Sequence, residues 1–136
     1  MKRFTQIVCL LLVAAMVLAV PAMAAEQASM FFASSSCYLW EISDSQFQVW
    51  FDVTAIDGMD TLGVSEILIQ RSTDRSNWTT VATYGGNYGY NTGYHSGHVT
   101  YSSASSGYYY RARVTFYAEN DTGCGYYTDY TSSLRY

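Results

Sequence analysis

Three tyrosines on a glycine-rich backbone are the residues of this chain best suited to contact a partner. Tyr88, Tyr90 and Tyr94 lie in the segment 84–94, which contains four glycines and four tyrosines. Tyrosine supplies a rigid ring with a polar tip and glycine supplies an adaptable backbone, the chemistry of antibody paratopes. The pattern predicts a loop that stacks on sugar rings or docks a protein. The alternative is that these rings cover the open edge of a β-sheet, because an exposed edge must be protected.

Three aspartates, Asp57, Asp60 and Asp121, are further candidates for binding. Their carboxylates, with that of Glu119, would suit a calcium ion if they converged in space. Asp57 is followed by Gly58, which is more simply explained by a turn, and the spacing matches no calcium-binding loop. We therefore predict a binding role for the three aspartates without a metal ion, and no cofactor.

Nucleophilic catalysis has no support in the residue pattern. The chain lacks a Gly-x-Ser-x-Gly motif, and neither histidine has an obvious carboxylate to orient it. His95 and His98 are three residues apart, so they face opposite sides of a strand and do not form a joint metal site. A chain this short also has few residues with which to line a sugar-binding cleft between paired carboxylates. We expect a protein that is not an enzyme.

The N-terminal residues predict export. Lys2 and Arg3 precede an apolar run over residues 7–20, and Ala22-Met23-Ala24 follows it. A short basic segment, an apolar run and an Ala-x-Ala site are typical of a secretory signal peptide, here residues 1–24. The run is too short for a membrane span, and no second apolar segment follows it. We expect a secreted, extracellular protein without membrane insertion after cleavage.

Two cysteines, Cys37 and Cys124, remain after the leader. An even cysteine count in an exported chain predicts one disulfide. Closing a loop of this length would stabilise the fold by about 4–5 kcal/mol in the chain-entropy model. The alternatives are two free thiols, or a metal site shared with the histidines.

The charge of the chain excludes two classes of partner. The net charge is −4 over the whole sequence, and the residues after the leader carry five arginines, no lysine and all 11 acidic residues, a net charge of −6. Such a chain repels phosphate backbones and anionic lipid. We expect neither a nucleic acid nor a membrane surface as its partner.

The sequence around these candidate residues is typical of β-strands. In residues 107–118, five side chains alternate towards one face, namely Tyr108, Tyr110, Ala112, Val114 and Phe116. A period of two with aromatic and β-branched residues is typical of a strand buried on one face. Residues 47–56 alternate in the same way and would face that strand across a core. Strands are predicted at 37–42, 47–56, 64–71, 78–83, 95–101, 107–118 and 126–134.

Seven short strands separated by turn residues, with no helical periodicity, predict a seven-stranded antiparallel β-sandwich over residues 37–136. Residues 25–36 are predicted to be a flexible lead-in. Two tryptophans remain ambiguous in this scheme. Trp40 and Trp50 either form an aromatic strip on an outer face or lie buried beneath the lead-in.

Two segments resemble the fibronectin type III domain, an immunoglobulin-like β-sandwich. Residues 66–71 followed by Trp78-Thr79-Thr80-Val81 look like its middle hairpin, and Gly107 with Tyr110 is similar to its sixth strand and tyrosine corner. The resemblance covers residues 46–134. The chain departs from that family in its expected disulfide and in lacking an Arg-Gly-Asp tripeptide. The chain also resembles small secreted bacterial proteins of unassigned function.

The connectivity implied by this resemblance brings the start of the first strand and the last hairpin to one end, so that Cys37 and Cys124 would meet there. The loops 57–63, 84–94 and 119–125 would gather at the same end. Sandwich folds bind through clustered loops of this kind. We therefore expect a secreted, non-catalytic module that binds an extracellular protein or glycan through this end. The alternatives are a bacteriocin-like antagonist of competitor cells and a structural cell-surface component.

Overall fold

The computed structural model describes residues 30–136, and within them every regular element is a β-strand. The seven strands are β1 (Phe32–Ser43), β2 (Gln46–Ser72), β3 (Thr79–Tyr84), β4 (Asn87–Tyr101), β5 (Tyr109–Asn120), β6 (Gly123–Tyr130) and β7 (Leu134–Arg135). All of their pairings are antiparallel. The part of the chain that is described contains no helix long and apolar enough to cross a bilayer. The signal peptide predicted at residues 1–24 and residues 25–29 of the predicted lead-in lie outside the described residues.

Strand β2 organises the sheet, because it pairs with β1, β3, β4 and β5. It runs for 27 residues through two predicted strands and through the predicted loop 57–63. The loop prediction was wrong. An irregularity of register between Thr54 and Met59 turns the strand, so the chain changes direction without leaving the sheet.

The sheet therefore has two halves that share β2 and β4. In the first half, residues 46–55 of β2 lie between β1 and the end of β4. In the second half, residues 61–72 of β2 pair with β5 on one side and with the start of β4 and then β3 on the other, and β5 carries β6 and β7. The result is one continuous antiparallel sheet curled into a half-barrel.

The core lies inside the curl and comes from the inward positions of β2 and β5. The predicted alternation of both strands is confirmed, since the side chains of Phe47, Val49, Phe51, Val53 and Ala55 are buried, as are those of Tyr110, Ala112, Val114 and Phe116. The predicted inward residues Ile67 and Ile69 are also fully buried. Burying each large apolar side chain contributes about 1.5–3 kcal/mol to folding.

Tyr110 is anchored as well as buried. Its hydroxyl accepts a hydrogen bond from the backbone N–H of Ser105 at 2.9 Å. The turn between them contains Gly107 at φ +90°, a left-handed conformation that glycine adopts without steric cost. The ring packs between those of Phe47 and Tyr136, with centroids 5.5 and 5.7 Å away.

The predicted disulfide is absent, and both Cys37 and Cys124 are free thiols. The reason is the position of Cys37, because β1 begins at Phe32 and not at the cysteine. The ring of Phe31 lies at the last hairpin, where a Cβ on Gly125 would be 2.6 Å from it. Cys37 is six residues further along, roughly 20 Å at about 3.3 Å per residue. A disulfide requires Cα atoms about 4.4–6.8 Å apart.

Candidate functional site

The tyrosine segment proposed as a binding loop is extended, because residues 87–101 form β4. Tyr88 lies opposite Gly63 and Tyr90 opposite Thr61, both on the second half of β2. Tyr94 lies opposite Thr54 on the first half. The three side chains are therefore distributed over both halves of the sheet and not gathered on one flexible loop.

Tyr88 packs into a row of aromatic rings across the second half. Its ring meets that of Tyr117 at a centroid distance of 5.8 Å and an angle of 71°, and Tyr117 meets Tyr126 at 4.9 Å. Gly63 lies between Tyr88 and Tyr117 in the register and has no side chain to separate them. Burial raises the pKa of Tyr88. We call Tyr88, Tyr117 and Tyr126 the tyrosine row.

The other sequence-predicted residues stay exposed and do not form a cluster that could hold a metal. Tyr90 and Tyr94 are 67% and 55% exposed. Asp57 and Asp60 lie at the bend of β2, and Asp121 lies in the turn between β5 and β6. Within residues 30–136, no three side chains among Asp, Glu, His and Cys come close enough to hold a metal ion. The calcium alternative therefore has no geometric basis among these residues.

The first half of the sheet presents an aromatic surface that we call the Trp50 face, made of Tyr38, Trp40, Gln48, Trp50 and His98. It arises from register, because Tyr38 on β1 lies opposite Trp50 on β2, and Trp50 lies opposite His98 on β4. Trp40 lies opposite Gln48 in the next row. Since alternate side chains of β2 fill the core, these residues must point to the outside.

The rings of the Trp50 face are stacked across the strands. The planes of Tyr38 and Trp50 are within 6° of parallel, with centroids 6.5 Å apart. The imidazole of His98 stacks on the other side of Trp50 at 4.4 Å and 27°. Aromatic neighbours at such distances stabilise one another beyond the area that they bury.

The indole of Trp50 is held in one orientation by its polar neighbours. Its Nε1 donates a hydrogen bond to Oε1 of Gln48 at 2.9 Å, and Nε2 of Gln48 approaches Oγ1 of Thr100 at 3.5 Å. A side chain that is already ordered loses less conformational entropy when a ligand binds. The indole of Trp50 is therefore preorganised for binding.

A shallow cleft opens at this surface. It has a volume of about 250 Å³ and is lined by Tyr38, Trp40, Gln48 and Trp50. Trp40 is 61% exposed, an unusual amount for so large an apolar side chain. Soluble proteins rarely expose large contiguous apolar patches, and such patches are typical of interaction sites.

The two histidines face opposite sides of β4, as their spacing predicts. His98 belongs to the Trp50 face, whereas His95 points inward, where its Nε2 is 2.8 Å from Oδ1 of Asn87. Burial lowers the pKa of His95. Within residues 30–136, neither histidine makes a hydrogen bond or an ion pair with a carboxylate.

The aromatic strip was one of two hypotheses for Trp40 and Trp50, and the structure agrees with it. What sequence reasoning missed is the contribution of β4. His98 and Thr100 alternate with Tyr101, which is buried in the core, and with Val99, which is half-buried and packs against it, and this alternation was a usable signal. Their neighbours on β2, which are Trp50 beside His98 and Gln48 beside Thr100, could not be identified without the register between β2 and β4.

Comparisons with known proteins do not assign the chain. A scan against family models and searches of curated proteins and of solved structures found no match. A functional proposal therefore rests on the geometry of the described residues alone.

Proposed function

We propose that this chain is a secreted, non-catalytic binding module that recognises an extracellular partner through the Trp50 face. The single observation that carries the proposal is the stacked row of Tyr38, Trp50 and His98 beside the exposed Trp40. Folding gains nothing from leaving so large an apolar ring in water. A partner that covers this ring accounts for its exposure.

A fibronectin type III-like arrangement is part of the proposal, and two observations support it. The strands pair in the sets β1–β2–β4 and β3–β2–β5–β6 once β2 is counted as two strands joined at its bend. The hydrogen bond from Ser105 to the hydroxyl of Tyr110 has the form of a tyrosine corner. Many cell-surface domains share this architecture, but the fold by itself does not identify the ligand.

The Trp50 face replaces the loop end as the preferred surface because it is better preorganised. Trp50 has ordered polar and aromatic neighbours, whereas Tyr90 and Tyr94 stand singly and exposed on β4. Binding through ordered rings loses less entropy than binding through isolated ones. Asp57, Asp60 and Asp121 belong, with Tyr90, to the loop-end hypothesis, which a Tyr90→Ala variant tests.

The experiment compares the two surfaces with the purified protein on arrays of glycans and of extracellular proteins. Trp40→Ala should abolish the strongest array signal, and Tyr90→Ala, which removes an equally exposed ring on the other half of the sheet, should leave it unchanged. The reverse result would locate binding at the loop end. If the wild-type protein gives no signal on either array, the binding-module function is wrong.

A bacteriocin-like antagonist and a structural cell-surface component remain the alternatives, and growth assays separate them from a binding module. Purified protein that inhibits competitor cells would favour the antagonist. A module that only binds should leave their growth unchanged at concentrations that saturate its array signal.

A further inference from the structure

We infer that the ligand of the Trp50 face is a neutral polysaccharide, bound with its sugar rings against Tyr38, Trp40 and Trp50. This inference rests on the proposed function and assigns the class of partner. It comes from three properties of the surface: the chemistry of the cleft lining, the distribution of charge over the two halves, and the side chains around the rings.

The lining of the cleft combines aromatic rings with one amide. Aromatic ring faces carry partial negative charge and attract the weakly positive C–H groups on one side of a pyranose ring. The amide of Gln48 has a second donor hydrogen and a second acceptor lone pair beyond its contacts with Trp50 and Thr100. A hydroxylated ring uses both kinds of contact. At about 250 Å³ the cleft lies just below the usual size range for small-molecule sites, which suits one sugar unit of a longer chain.

The charge distribution excludes polyanionic polysaccharides from this face. The outward positions of its strands carry one formally charged side chain, Asp52, whose carboxylate accepts a hydrogen bond from Ser36. All five arginines of residues 30–136 lie after position 70, on or beside the other half of the sheet. A sulfated or uronic acid chain would meet a negative carboxylate and no cation at the Trp50 face, whereas a neutral chain has no such cost.

The surroundings of the rings favour a glycan over a protein. Small hydroxyl side chains surround the aromatic residues on the same face, namely Ser34, Ser36, Thr54, Ser96, Thr100 and Ser102. Protein–protein interfaces are depleted in serine relative to the rest of the surface, and a standard interface buries about 800 Å² on each partner. Aromatic rings surrounded by hydroxyl side chains instead suit a sugar, because the rings can pack against its C–H groups and the side-chain hydroxyls can hydrogen-bond to its own.

The test measures depletion of the purified protein from solution by insoluble cellulose, chitin and mannan, with soluble heparin and alginate as anionic probes. We expect at least one neutral polymer to bind the protein with an affinity that changes less than twofold between 50 and 500 mM salt, on the order of the weak screening expected without ion pairs. Trp40→Ala should weaken binding at least about tenfold, the loss expected for one stacked ring. Heparin and alginate should not compete.

Controls make the outcomes separable. Trp50→Phe keeps a ring but loses the Nε1 donor, so it should retain part of the affinity, and circular dichroism should show it folded. Tyr90→Ala should bind like the wild type. If no neutral polymer binds while an arrayed protein binds and depends on Trp40, the glycan assignment is wrong and the binding module stands.

Three further results would overturn the inference. Competition by heparin would show a charged ligand. A dimer in sedimentation that Trp40→Ala converts to a monomer would show that a second copy of the chain covers the face. Polymer binding that is unaffected by Trp40→Ala and by Trp50→Phe would contradict both the inference and the proposed function.

Discussion

At the scale of single residues, the two thiols differ in their surroundings. Cys37 lies on the inner side of β1, and burial, with the carboxylates of Asp129 and Asp52, raises its pKa to about 12. Cys124 is exposed at the start of β6. Because the thiolate is the reactive form, Cys37 is poorly reactive at neutral pH.

Titration of the native protein with a disulfide reagent at pH 7.5 should therefore show one fast thiol. Cys124→Ser should abolish the fast phase, and Cys37→Ser should leave it intact. In denaturant, the thiols of Cys37 and Cys124 in the wild-type protein should react equally fast. A native protein that shows neither thiol until a reductant is added would contain the disulfide that the structure lacks.

His95 makes the fold sensitive to mild acid. Its pKa is lowered by burial below the ordinary value of 6.5, which the unfolded chain retains. Between the two values the unfolded state binds more protons, so the free energy of unfolding falls as the pH drops below about 6.5. Asp74 acts separately, because backbone N–H groups of Asn77 and Ser76 lower its pKa, and its contribution is lost only below 3.8.

We expect the urea midpoint to fall between pH 7 and pH 5, and we expect His95→Gln to reduce that fall. Glutamine keeps a polar group near Asn87 but does not titrate. His98→Gln, on the outer face of the same strand, is the matched control and should retain the acid sensitivity. An equal fall in wild type and His95→Gln would assign the effect to other groups.

At the scale of elements, the contact between β2 and β4 depends on Gly63. A Cβ at this position would lie 2.2 Å from the carbonyl oxygen of Asn87 and 2.9 Å from Cα of Tyr88. Both are backbone atoms, so the added methyl group must push the two strands apart. The same glycine allows Tyr88 to reach Tyr117 across β2.

Gly63→Ala should lower the free energy of unfolding by about 1–3 kcal/mol, the usual cost of overpacking. Gly85→Ala adds the same methyl group where no atom lies within 4 Å, and it should stay within about 0.5 kcal/mol of wild type. Urea denaturation with an unchanged m-value measures both. Equal free energies of unfolding for the two variants would show that β4 can move away from Gly63 without loss of stability.

At the scale of the whole molecule, the two halves should unfold together, because β2 and β4 run through both. Val53 is fully buried in the first half and Ile69 in the second. A strand shared by two pairing sets couples their stability, which favours a single two-state transition.

Ile69→Val should cost about 0.5–1.5 kcal/mol, and Val53→Ala about 1–3 kcal/mol. Each variant should shift the same transition in tryptophan fluorescence and in far-ultraviolet circular dichroism. Two separated transitions, or a shift seen by one probe alone, would mean that the halves are independent units.

The class of structure and the inward face of its main strands could be predicted from alternation along the chain. Alternation is a local property, and it placed Phe47, Phe51, Tyr110 and Phe116 in the core, where the structure has them. Alternation also put Trp50 on the side opposite its buried neighbours. These inferences needed no partner strand, because a strand's period of two assigns faces within the strand itself.

The ends of the strands and the contacts between outer residues depend on pairing between distant parts of the chain. Residues 57–63 and 84–94 are rich in Gly, Asp and Asn, which locally favour turns. Most of them are extended because they pair with each other, as Met59 does with Thr92 and Gly63 with Tyr88. Such pairing is non-local, so no short window of sequence contains it. Register likewise moved Cys37 away from Cys124 and brought Tyr38, Trp50 and His98 into one row.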